Sequence, residues 1–396
     1  MKFLKLPLLV KVLIAIVLGL ILGYIFPDWL SRIFVTFNSL FSQFLGFCIP
    51  LIILGLIAPG IADLGSNAGK LLIVTVAIAY GSTLFSGFMT YFSCEAIFPL
   101  IDVGAQNTGG SVDNPGEGML TTYFVIEMPP LFDIMTALVL AFVLGMGVSV
   151  SKKGGATMKS VLNDLKEIIE IVISKVIIPL LPLYIFGIFL NMSTSGTAFR
   201  IISVFGKVIG VIFILHILLL LIQYFIAGAY VKRNPFKALW IMMPAYATAL
   251  GTSSSAATIP VTLRQTLKNG VDEDIASFCI PLCGTLHLAG STLKITAMAL
   301  AICMINGYPH DLVTFTGFIF MLAIIMIAAP GVPGGAIMAA IAPLQSLLGF
   351  GEADIALMIA VYIAIDSFGT ACNVTGDGAI ALVLDKLCKK PKPDLV

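Results

Sequence analysis

Eight long apolar runs, at roughly 8–26, 35–61, 70–100, 121–150, 165–192, 201–231, 275–307 and 354–386, alternate with short polar or charged stretches. About 20 mostly apolar residues are enough for a helix to cross the hydrocarbon core of a bilayer. Each run is therefore predicted to be a membrane span. Several exceed the minimum, so tilts and kinks are expected, with Pro50, Pro129, Pro130, Pro179 and Pro182 as kink sites. Two further apolar stretches, about 237–268 and 312–350, are interrupted by small and proline-rich clusters.

Composition strengthens the membrane assignment. The 396 residues are 59% hydrophobic and 11% charged, with a mean hydropathy of +1.07. A globular domain carries about 25% charged residues, so most of this surface must face lipid, and a soluble enzyme is excluded. A net charge of +1 gives no basic surface for nucleic acid. The seven cysteines show no CxxC or metal-ligand spacing and read as small buried apolar residues. Basic Met1–Lys11 precedes apolar Val12–Phe26 with no small-residue cleavage site, which predicts a first membrane helix and not a removed signal peptide.

Lysine and arginine set an orientation. Lys2 and Lys5, then Lys152, Lys153 and Lys159, then Lys232, Arg233 and Lys237, and finally Lys386, Lys389, Lys390 and Lys392 fall on one side, provided both interrupted stretches return to the side they came from. The positive-inside rule makes that side cytoplasmic. Both termini are then inside the cell and the polar stretch Val103–Gly118 is outside.

The interrupted stretches break where a helix cannot continue. The first contains Gly251 to Pro260, rich in serine, threonine and alanine. The second contains Pro330-Gly331-Val332-Pro333-Gly334-Gly335, two prolines and three glycines in six residues. Lipid tolerates irregular backbone only where protein or a wet cavity covers it. Each stretch is predicted to be a helix-turn-helix hairpin entering the membrane and turning back, against the competing reading of a solvated loop. Interrupted segments in matching positions of two inverted halves point to a transporter site.

The last span carries Asp366, Thr370, Asn373 and Asp377 at i, i+4, i+7 and i+11, all on one helical face. Each aspartate costs about 2.5–3.5 kcal/mol at mid-membrane on insertion scales, and the two together about 5–7 kcal/mol. A ligand stripe is the functional reading, in which carboxylate, hydroxyl and amide oxygens suit an ammonium or a hard cation. Aspartates bonded to neighbouring helices are the structural one. Span seven places His287, Ser291 and Lys294 on one face, with Thr285 just before them. Lys294 lies too deep to snorkel and needs a carboxylate or a cavity. His287 reads as a hydrogen-bonded core histidine, with a proton carrier as the alternative. The segment Thr285–Ser291 is a weak candidate for local unwinding. Glu95, Glu127, Asp133, Glu167, Glu170 and Lys175 read as structural.

These residues resemble the dicarboxylate/amino acid:cation symporters, which include glutamate and neutral amino acid transporters. The layout is similar over nearly the whole chain, and the motifs are specific in roughly its last 150 residues. Thr252–Thr262 resembles the tip of the family's first hairpin, Ile280–Ser291 its unwound seventh helix, Pro330–Met338 its second hairpin, and Asp366–Asp377 its eighth helix. The resemblance implies an all-α elevator fold of eight transmembrane helices and two re-entrant hairpins with inverted repeats. It implies a homotrimer in the bacterial inner membrane. Residues 1–69 and 121–192 would form the trimerisation scaffold, and 70–100 and 201–386 the moving transport domain. Asp366 would take a substrate ammonium. Ser254, Ser255, Ser291, Val332, Ala336, Gly369, Thr370 and Asn373 would complete the substrate site. One sodium site would involve Cys283, His287, Asn373 and Asp377, and a second Thr285, Met326, Ile327 and Ala329. One or two sodium ions and no organic cofactor would be carried.

Departures from the family pattern bear on the substrate. The helix-eight arginine of acidic-substrate members is Gly369 here, and the archaeal-type hairpin arginine is Ser253. With no guanidinium fork for a second carboxylate, the pattern most resembles bacterial serine/threonine symporters. An acidic amino acid or dicarboxylate remains the alternative if Lys294 supplies the missing charge, as does proton coupling without sodium. The third sodium site lacks its helix-seven ligands, which are His287 and Ala289 here. Its span-three hydroxyls fall at Ile78 and Ala79 if Lys70 sets the register. Lys294 either replaces a missing cation or pairs with Asp366 or Asp377 in the empty site. A channel would show a filter or charge ring. A paired-aspartate enzyme would need closer carboxylates than the about 16 Å that eleven residues of helix impose.

Overall fold

The computed structural model describes residues 8–65, 70–103, 120–132, 134–151, 155–194, 198–327, 329 and 333–388. Among these residues the chain is all-helical. The helices are α1 (Leu8–Leu22), α2 (Asp28–Gly65), α3 (Lys70–Ile97), α4 (Ile134–Val150), α5 (Gly155–Val172), α6 (Ile178–Thr194), α7 (Ala198–Val231) and α8 (Pro235–Ile241). They continue as α9 (Met243–Thr252), α10 (Ser255–Lys268), α11 (Glu273–Leu286), α12 (Ala289–Asn306), α13 (Leu312–Met326), α14 (Gly335–Leu348), α15 (Glu352–Ala364) and α16 (Asp366–Cys388). Helices suit lipid because they satisfy their own backbone polar groups.

Among the described residues, five segments are long and apolar enough to cross a membrane: Asp28–Pro59, Leu71–Ile97, Gly155–Thr194, Ser203–Val231 and Glu273–Asn306. The pair α15 and α16, bent by 64°, makes a sixth. Shorter apolar helices include α1 and α4, with 15 and 17 described residues.

Three departures from the sequence expectation stand out, the first two with local causes. The helix predicted over 121–150 begins only at Ile134, because Pro129 and Pro130 cannot donate to a helical ladder and restrict the residues before them. Residues 120–132 instead run as irregular chain beside α2. Arg32 donates to Thr121 O at 2.9 Å, Tyr123 N donates to Thr36 Oγ1 at 2.9 Å, and Arg32 lies over the Tyr123 ring. The fifth span carries a π-helical turn at Ile173–Ile177, just ahead of Pro179 and Pro182, whose missing N–H groups release carbonyls one turn back. The last span is not one helix, since Ile365 breaks it. Asp133 and Val332, with Lys2, Lys5, Lys152, Lys153, Lys389, Lys390, Lys392 and the polar stretch after Val103, lie outside the described residues.

Packing falls into two sets. α2 lies against α4, α5 and α6, and α1 against α6. α16 lies against α7, α9, α10, α11 and α12, and α12 also against α3. Contacts between the sets include α14 on α2 and α4, α15 on α1 and α6, and α7 on α6. α12 is the most enclosed element, with Ala289 through Met304 all buried. Both interrupted stretches form helix-turn-helix units. In the first, α9 and α10 meet at Ser253, whose φ of 51° puts a non-glycine residue in the left-handed region, and at Ser254, which caps α10. In the second, α13 and α14 pack together and Gly334 caps α14 at φ 76°. Six of the seven cysteines are buried and all are free.

Candidate functional site

Two broken helices bring the polar residues together. The first break lies between α11 and α12. His287 leaves helical geometry at φ −103°, ψ 96°, its N–H closing α11 on Cys283 O at 2.8 Å, while Thr292 N opens α12 on Leu288 O. The His287 side chain is fully buried. Its Nδ1 lies 2.9 Å from Asp377 Oδ1 and its Nε2 lies 3.0 Å from Ser82 Oγ on α3. Ser82 Oγ also accepts from Gln223 Nε2 on α7 at 3.0 Å. Four elements thus meet at one imidazole. The close approach requires Gly376, where a Cβ would stand 2.9 Å from His287 Cε1.

Asn373 fixes the start of α12. Its Oδ1 accepts from the Gly290 and Ser291 N–H groups at 2.8 and 3.4 Å, amides that a helix start leaves without intrahelical partners. Its Nδ2 donates to Ser291 Oγ at 3.2 Å, and Tyr362 OH donates to the same hydroxyl at 3.0 Å. At Gly290 a Cβ would lie 2.7 Å from Cys372 Cβ and 2.8 Å from Gly369 O, so the two helices touch backbone to backbone.

The second break, between α15 and α16, holds an ion pair. Lys294 and Asp366 are buried, and Nζ lies 3.2 Å from Asp366 Oδ1. The ammonium also lies 3.4 Å from the carbonyls of Ile365 and Asp366 and 3.7 Å from the Tyr362 ring centroid. The other carboxylate oxygen, Oδ2, accepts from Gly334 N at 2.8 Å, tying the second helix-turn-helix unit to α16. Helix dipoles favour this arrangement: the lysine sits at the C-terminus of α15 and the aspartate in the first turn of α16. Gly369 leaves the passage for the lysine, because a Cβ there would come within 2.3 Å of Lys294 Cε.

Of the residues singled out in the sequence, Ser291, Lys294, Asp366, Gly369 and Asn373 form one cluster, and His287 and Asp377 form a second beside it. Both oxygens of Asp366 have protein partners, Lys294 and Gly334. The Thr370 hydroxyl donates to Asp366 O in its own helix. Ser254 accepts from Ala257 N within its own hairpin, Ser255 is buried at the start of α10, and Ala336 is buried in the first turn of α14. The Thr285 hydroxyl turns back to Leu282 O at 2.9 Å. Cys283 is buried with its Sγ 3.6 Å from that of Cys279. Met326 and Ala329 are buried and Ile327 caps α13.

Sequence reading missed Ser82, Gln223 and Tyr362. On α3 the hydroxyls facing α12 are Ser82, at His287, and Ser86, which donates to Ala289 O at 2.7 Å. Ile78 and Ala79, where the register set from Lys70 puts the hydroxyls, pack in an apolar cluster with Tyr224 and Ala379. The signal was present: Ser82, Ser86 and Thr90 recur every four residues.

Charged and amide groups sealed inside an apolar, all-helical body, at breaks in two of its helices, define a multi-pass membrane transporter of a small solute. The chain belongs to the sodium:dicarboxylate symporter family, whose family model matches residues 8–387. Its relatives include a serine/threonine transporter of Acinetobacter baylyi, 25% identical over 400 residues that cover 98% of both chains. A serine/threonine transporter of Acinetobacter baumannii is 26% identical over 395 residues, covering 97% of both.

Proposed function

We propose that this chain carries small neutral amino acids of the serine, threonine and alanine class into the cell together with sodium. The observation that carries the assignment is the pairing of a retained Asp366 with a bare Gly369. A carboxylate suited to an ammonium stands next to a position with no fixed guanidinium, so a second carboxylate on the substrate finds no fork. The names of the two Acinetobacter relatives point the same way.

The architecture proposed is eight spans and two re-entrant hairpins working as an elevator. Residues 70–100 and 201–386 move against a scaffold of 1–69 and 121–192, and the two packing sets support that division. Loading breaks the contact of Asp366 with Gly334 or with Lys294, so that the hairpin of α13 and α14 gates the site, with Ser254, Ser255, Val332 and Ala336 at the tips. Asn373 and Ser291 orient the substrate from the far side. Sodium is drawn by Asp377 with Cys283 and His287, and by the carbonyls of Met326, Ile327 and Ala329 with Thr285. Homotrimer assembly is supported by the irregular segment 120–132. Its Tyr123, Phe124, Val125, Ile126 and Leu131 are exposed, an apolar surface that a second copy would cover. The inner membrane, with both termini cytoplasmic, follows from the lysine distribution.

One observation favours a second reading, coupling without sodium: the carboxylate the family resemblance gives to sodium already faces a histidine nitrogen at 2.9 Å. Uptake of serine, threonine, alanine and aspartate into proteoliposomes, with and without a sodium gradient, tests both. Serine or threonine should accumulate in response to sodium and aspartate should not. Preference for aspartate would overturn the substrate class, and uptake indifferent to sodium would favour the second reading.

A further inference from the structure

We infer that Lys294 is a tethered competitor for the substrate's ammonium, holding Asp366 while the carrier is empty and releasing it on loading; this rests on the neutral amino acid reading above. Asp366 and Lys294 are both buried, and a buried carboxylate left without a partner is strongly unfavourable. An empty carrier that must cross the membrane therefore needs a positive charge at Asp366. The chain supplies one from within, 3.2 Å away.

Release is built into the same geometry. Two ammonium groups on one carboxylate oxygen repel each other, so an arriving amino group displaces the lysine. The displaced Nζ is not stranded, because it already lies against the Ile365 and Asp366 carbonyls and over the Tyr362 ring. Carbonyl oxygens at the C-terminus of α15 and an aromatic face both attract a cation. The break at Ile365 thus offers the lysine a second resting place within a small movement of its first. Gly369 is the permissive half of the device, since any side chain there would occupy the space of Lys294 Cε.

The consequence is a separation of two fluxes. Exchange of substrate for substrate keeps Asp366 matched by a substrate ammonium throughout. Net uptake requires the empty carrier to return, and only that step uses the lysine. Removing the competitor should also let substrate bind more tightly.

The test uses the full-length protein in proteoliposomes, with labelled serine outside and either no serine or unlabelled serine inside. Wild type should show both fluxes. In Lys294→Met the ratio of net uptake to exchange should fall at least tenfold, and the serine concentration that half-saturates exchange should fall severalfold. Gly369→Ala keeps every charge but pushes the ammonium off its seat. It should move both quantities the same way, and it carries the test if Lys294→Met does not fold. An unchanged flux ratio in Lys294→Met or in folded Gly369→Ala overturns the inference while leaving the proposed function standing. Equal loss of both fluxes with weaker serine binding also overturns it, since the lysine would then serve structure or substrate directly. Wild type that exchanges no serine overturns the proposed function and this inference with it.

Discussion

Four elements converge on His287, and the contact with Asp377 is the one whose removal has the clearest energetic signature. Nδ1 and Oδ1 lie 2.9 Å apart with side-chain exposures of 0% and 1%. Replacing either partner, by Asp377→Leu or His287→Leu, leaves the other polar group buried without its match. Breaking a buried pair in this way costs about 3–5 kcal/mol. Replacing both removes the mismatch, and a hydrogen bond to a charged group contributes about 1.5–3 kcal/mol net. The double variant should therefore be less destabilised than the sum of the single variants by roughly that 1.5–3 kcal/mol. Six buried free thiols supply the assay. A thiol-reactive fluorophore reports unfolding as they become accessible, and denaturant midpoints for the four proteins complete the double-mutant cycle. Additivity within about 0.5 kcal/mol, the behaviour of independent sites, would refute the coupling.

Other expectations are equally direct. Gly290→Ala forces α12 away from α16, because its Cβ would meet Cys372 Cβ at 2.7 Å; a loss of about 1–3 kcal/mol from overpacking should appear as a lower thermal midpoint in detergent. Tyr362→Phe removes the hydrogen bond to Ser291 Oγ but keeps the ring under Lys294. It should cost about 0.5–1.5 kcal/mol, and Tyr362→Leu, which also loses the ring, should cost more in the same denaturant series. Gly369→Arg alone has no room beside Lys294 and should abolish serine transport. Combined with Lys294→Ala it restores one guanidinium for a substrate carboxylate, and aspartate should then compete with serine in uptake.

Much of the candidate site was legible because burying charge in lipid is costly enough to leave a mark in one sequence. Asp366, Asn373, Asp377, His287 and Lys294 all stood out as polar residues inside apolar runs; His287 and Asp366 lie at the two helix breaks, and Lys294, Asn373 and Asp377 reach those breaks from within α12 and α16. Helix spacing correctly put the four residues from Asp366 to Asp377 on one helix, α16. It failed one turn earlier. Treating the last span as continuous hid the break at Ile365, and with it the meeting of Tyr362 with Lys294. No proline or glycine marks that break, so local propensity gave no warning; tertiary contacts at Gly334 and Lys294 hold it open. Span four failed for the opposite reason, where hydropathy outweighed two adjacent prolines. Partner choice was the least legible, because Asp366 and Asp377 were both plausible matches for Lys294 and only the fold distinguishes them.

The close packing of Lys294 on Gly369 also constrains how such a chain can change over generations. A side chain cannot be gained at 369 while the lysine remains, since the two would overlap within 2.3 Å, and the lysine cannot be lost first without stranding a carboxylate in the interior. Descendants that trade one cation position for the other must pass through an impaired ancestor or change both codons together. The two arrangements should therefore divide lineages sharply, with few intermediates between them.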